Sequence, residues 1–151
     1  MQIGLYREEP VRSFPLMIVI IILYNLLAAA HGFNADSTDA MLALNVPVPM
    51  FSGQVWHFSL SDLVVLIALG LLFVEVIKST RTTAVEVINL ALSMLVFIAA
   101  LVEFITLKPF ASTSFFLIMM MCLFDVVAGF SISIVAANCD IGTTGGLIGT
   151  N

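Results

Sequence analysis

"TSFFLIMMMCLFDVVAGFSISIVAA", residues 113–137, decides what kind of molecule this is. A helix needs about 20 mostly apolar residues to cross ~30 Å of hydrocarbon. This stretch has that length, and its only charged group is Asp125. It reads as a membrane-spanning helix with one carboxylate in its middle. Three further apolar runs, 14–31, 60–77 and 84–105, are also long enough, the first only just.

The whole chain agrees with that reading. Of its 151 residues 61% are hydrophobic and 10% charged, against roughly 45–50% and about 25% in soluble domains. The expected fold is therefore an all-α integral membrane protein: an up-down four-helix transmembrane bundle with a short extracytoplasmic loop or hairpin between the first two helices. Residues 1–13 are expected as a cytoplasmic N-terminal segment, 14–137 as the transmembrane domain and 138–151 as a flexible Gly/Thr-rich tail. Little chain remains for a soluble catalytic domain.

Local signals place the helix ends. Ser13 and Pro15 suit the start of the first helix and Gly32 its end. Ser59 with Asp62, and Thr83 with Glu86, have the spacing of reciprocal capping boxes. Short connections, "KSTRTT" and "LKPFAST", make consecutive helices expected antiparallel neighbours. In the 32–59 loop an acidic stretch precedes two extended-looking pieces around Ser52-Gly53. Pro47 and Pro49 there suit an edge strand, and Trp56 is expected at the membrane–water boundary.

Basic residues set the expected orientation. Arg7, Arg12, Lys78 and Arg81 fall on one side and Lys108 on the other, which puts both termini in the cytoplasm. The first apolar run is read as an anchor rather than a cleaved signal. The absence of an organellar presequence favours a bacterial inner membrane. A net charge of −5 without a Lys/Arg cluster argues against nucleic acid as a partner.

Asp125 is the residue that asks for an explanation. A mid-membrane acid costs about 2.5–3.5 kcal/mol on insertion scales and should face protein rather than lipid. Asp125, Gly129, Ser133 and Ala137 recur at steps of four, a small-residue face suited to close helix packing. The third apolar run carries a matching strip of Glu86, Asn89, Ser93, Val96, Ala100 and Glu103. Asn89 or Ser93 is the expected partner of Asp125, and Asn25 is the polar group of the first run. Glu75 is expected to meet Lys78, and Glu103 to meet Lys108.

The remaining chemistry is sparse. His31 and His57 lie at the extracytoplasmic ends of the first two helices, where helix-terminal or headgroup contacts are the expected roles and ligation of a metal or haem is disfavoured. No heme-attachment, metal or nucleophile motif is present, so neither a cofactor, a metal nor an enzymatic activity is expected. Cys122 sits in an apolar environment that leaves a thiol inert. The expectation is a non-catalytic accessory or scaffold subunit of a larger membrane-protein complex or homo-oligomer in the lipid bilayer. The alternative is a small transporter or proton/ion-pathway component using Asp125 and the polar strip.

Overall fold

The computed structural model describes residues 14–79 and 84–145, with side chains described except at 84–87 and 136–145. The chain is mostly helical: α1 (Met17–Ala30), α2 (Ala35–Leu42), a hairpin of β1 (Asn45–Pro49) and β2 (Val55–Ser59), then α3 (Leu60–Ser79), α4 (Ala84–Thr106) and α5 (Thr113–Gly145). Three of these helices, α3, α4 and α5, are long and apolar enough to cross a membrane.

The first helix departs from expectation. With 14 residues it is about 21 Å long at 1.5 Å per residue, short of the hydrocarbon thickness. It reaches membrane-spanning length only when joined to α2, and the two are bent by 117°. The bend is written in the backbone. Gly32 has φ 63°, and the amides of Gly32 and Phe33 return to the carbonyls of Ala29 and Ala28 at 2.9 Å each, the paired bonds of a Schellman stop. Asn34 then caps α2, its side chain accepting the Ser37 amide at 3.3 Å. The acidic stretch of the loop is thus a helix that was not expected, with Asp36 in its first turn where the dipole welcomes it. Ser13 lies outside the described residues.

The hairpin follows the expected plan. Its register pairs Val46 with Phe58, Pro47 with His57, Val48 with Trp56 and Pro49 with Val55. The flanking bonds run from the Met50 amide to the Gln54 carbonyl at 2.9 Å and from the Leu60 amide to the Leu44 carbonyl at 2.8 Å. Antiparallel ladders alternate, so even-numbered residues hold the hydrogen-bonding positions and both prolines fall where a strand needs no amide hydrogen. Gly53, at φ 81°, closes the three-residue turn in the left-handed region that favours glycine.

β2 passes straight into α3. Ser59 Oγ accepts the Asp62 amide at 3.2 Å and Asp62 Oδ2 accepts the Ser59 amide at 2.8 Å, the expected reciprocal box. The Thr83 half of the second box lies outside the described residues. At the other end of the molecule Ser112 caps α5 by accepting the Phe115 amide at 3.2 Å and meets the Tyr24 hydroxyl at 2.8 Å. Tyr24, Phe110 and Phe115 stack there with ring centroids 4.8–5.4 Å apart.

Packing order around the core is a second correction. α3 and α4 were expected side by side; instead α5 lies between them, sharing its longest seams with both, and α1 rests across α3 and α4. A helix as uniformly apolar as α5 buries area against two neighbours, which chain order alone does not forbid. α5 also continues to Gly145, so residues 138–145, expected in the flexible tail, are helical. No proline interrupts them, and one internal glycine costs a helix only about 1 kcal/mol. Residues 146–151 lie outside the described chain.

Candidate functional site

The most charged region of the interior lies where the start of α1 meets the end of α3 and the first turns of α4. Leu16, the residue preceding α1, has no side-chain cap; its amide donates instead to Glu75 Oε2 of α3 at 3.0 Å. An acid at a helix N-terminus meets both unpaired amides and the positive end of the dipole. Asn89 of α4 donates to Glu75 Oε1 at 2.6 Å. Lys78, one turn along α3, reaches the same Oε1 at 3.3 Å and the Phe14 carbonyl at 2.7 Å. Glu75 is entirely buried, and three elements converge on its carboxylate.

Asp125 enters the same region from α5. It is 3% exposed, so the acid does face protein. Ser93 of α4 lies against it, and the charges of Glu75 and Lys78 are close enough to act on it. The two expected partners therefore divide: Ser93 faces Asp125, whereas Asn89 is taken by Glu75. Gly129, one turn beyond Asp125, lets α4 approach, because a Cβ built there would stand 2.7 Å from Leu90 Cδ1. Ser133 is exposed and returns its hydroxyl to the Gly129 carbonyl at 2.9 Å, so it takes no part in the seam. Ala137 lies outside the described side chains.

Asn25 belongs to a separate polar contact toward the other end of the bundle. It donates to Glu103 Oε1 at 3.0 Å, the partner that had been expected in Lys108. Asn89, Ser93, Val96 and Ala100 are all buried, so the strip on α4 is its inward face. Along it and across from it, three buried side-chain oxygens have no hydrogen-bond partner among the described residues: Asn89 Oδ1, Glu103 Oε2 and Asp125 Oδ2. All three are acceptors. What the interior lacks is hydrogen to donate.

The histidines stand apart from this region and from each other's contacts. His31 meets Met41 Sδ at 3.0 Å and His57 Nδ1 meets Asn45 Oδ1 at 3.1 Å. Among the described residues no three His, Cys, Asp or Glu side chains gather as a metal site. Cys122 is free and buried.

Sequence reasoning singled out Asp125 but gave Glu75 a smaller part, as the partner of Lys78 near a helix end, a pair the structure contains. One signal for the larger part was present: Glu75 falls inside the apolar run 60–77 rather than beyond its end. No protein-family model, curated protein or solved structure matches the chain.

Proposed function

We propose that this chain is a non-catalytic accessory subunit of a larger complex in a bacterial inner membrane. In this reading it crosses the bilayer four times, up and down, with both termini cytoplasmic, and docks through its transmembrane helices and the 32–59 loop. α1 serves as the first, short crossing, with α2 turned along the outer boundary.

One observation carries the reading: among the described residues the hairpin has an apolar face that is left largely uncovered. Val46, Val48, Trp56 and Phe58 share that face by register. Val46 is 65% exposed, Trp56 51%, and Phe51 at the turn is completely exposed. The opposite face carries Asn45, His57 and Ser59 together with Pro47, Pro49 and Val55. A hairpin of two strands is marginal in water by itself, and contiguous exposed apolar surface marks an interaction site. Because β2 runs directly into α3, the face lies beside a membrane-spanning helix, where a neighbouring subunit's apolar surface can cover it.

The test is purification of the tagged full chain in mild detergent from its native membrane, beside a Phe51→Ser/Trp56→Ser variant. A stoichiometric partner that stays with the parent chain and leaves the variant, while helical content is unchanged, is the expected result. A chain that elutes alone, or whose companions are indifferent to the hairpin, overturns the proposal.

A further inference from the structure

Asp125 differs from Glu75 in how its charge is met. Glu75 has three donors at its carboxylate, one of them a lysine. The Glu75–Lys78 pair is already neutral, and Asp125 Oδ2 has no donor although it is buried. The groups that face Asp125 are Glu75 and Lys78 from α3, the uncharged Ser93 from α4, and Cys122 on its own helix. An ionised Asp125 would place a second carboxylate near Glu75, and among the described residues Lys78, already paired with Glu75, is the cation that acts on it. A buried charge without a partner is among the most destabilising features a protein interior can hold. One bound proton removes the problem. It neutralises Asp125 and turns an oxygen without a donor into a donor, in a region where Asn89 Oδ1 also lacks one.

We propose that Asp125 is a proton-binding site of this chain, loaded and emptied from the end of the bundle where Glu75 and Lys78 lie. An O–H bond forms at the Asp125 carboxyl and breaks to release the proton to water at that end; no other bond changes. Lys78 is partly exposed, with 18% of its side chain reaching solvent, and links water to the cluster. The Leu16 amide, Asn89 and Lys78 are all engaged at Glu75, which leaves none of them to meet Asp125 Oδ2. The site goes beyond the docking role and stands whether or not a partner subunit is found.

The experiment is infrared difference spectroscopy of the full chain in lipid nanodiscs, titrated in H2O and D2O, with aspartate carbon labelled by 13C. The expected result is a protonated-carboxyl C=O band at neutral pH that shifts with the aspartate label, shifts again in D2O, and fades as pH is raised. Asp125→Asn should remove the band, and Glu103→Gln should leave it. If Asp125→Asn fails to fold, the label on the parent chain still separates aspartate from glutamate, and Asp36→Asn, Asp39→Asn, Asp62→Asn and Asp140→Asn, which together replace the other four aspartates of the chain, assign the band to Asp125 by leaving it in place. Absence of the band at neutral pH, its survival in Asp125→Asn, or a band that neither exchanges deuterium nor titrates would each overturn the proposal.

Discussion

Glu75 holds together groups that are far apart in the chain: the Leu16 amide 59 residues before it and the Asn89 amide nitrogen 14 after it. Removing one partner of a buried, paired charge is strongly destabilising because the remaining groups stay desolvated and unpaired, at about 3–5 kcal/mol. Glu75→Ala is therefore expected to destabilise the folded chain by about 3 kcal/mol or more, read from unfolding in detergent. Glu75→Gln keeps an acceptor for one donor and should lose less. A Glu75→Ala chain as stable as the parent would show the cluster to be incidental. At this scale the sequence disclosed that Asp125 is buried, since a lone acid in an apolar run has few alternatives. It did not disclose which donors each acid receives, because Asn89 and Ser93 are one turn apart on one face of α4 and equally placed to serve either carboxylate.

The α4–α5 seam depends on Gly129. A methyl group there meets only the end of the Leu90 side chain, which can turn aside, so Gly129→Ala is expected to cost about 1 kcal/mol, within the range for overpacking. Gly129→Val should cost more, and Leu90→Ala should recover part of that loss in a double-mutant cycle. The hairpin makes a sharper comparison. Pro47→Ala should leave amide protection of β1 and β2 unchanged, because residue 47 donates no ladder bond. Val48→Pro, one residue on, should abolish protection across the pair, as hydrogen exchange would show. Asn34→Ala removes the cap of α2 and is expected to destabilise that helix by about 1 kcal/mol, seen as faster exchange at Ser37 and Thr38. The hairpin was legible from its prolines and glycine. The helix α2 was not, since eight residues rich in Asp, Ser and Thr resemble a loop until Asn34 is recognised as a cap and Leu42 is seen to be buried.

Across the whole molecule, two polar contacts fasten opposite ends of the bundle. Leu16 and Tyr24 are eight positions apart, about 12 Å along α1 at 1.5 Å per residue. The Glu75 contact at Leu16 and the Ser112 contact at Tyr24 are therefore distant enough for their losses to add. Glu75→Gln combined with Tyr24→Phe should equal the sum of the single losses to within about 0.5 kcal/mol, whereas Glu75→Gln with Asp125→Asn should depart from additivity, because those two groups share one electrostatic environment. Equal behaviour of both pairs would mean that the cluster is not one unit. The sequence by itself determined the apolar class of the chain, the positions of α3, α4 and α5 and the edge character of the hairpin, because hydrocarbon length, capping chemistry and missing amide hydrogens act within a few residues. Only the tertiary structure decided that α5 lies between α3 and α4, that α1 is short and continues into a bent α2, and that Glu75 supplies the cap for α1, because buried polar groups find partners by proximity in space and the chain brings those partners from distant turns.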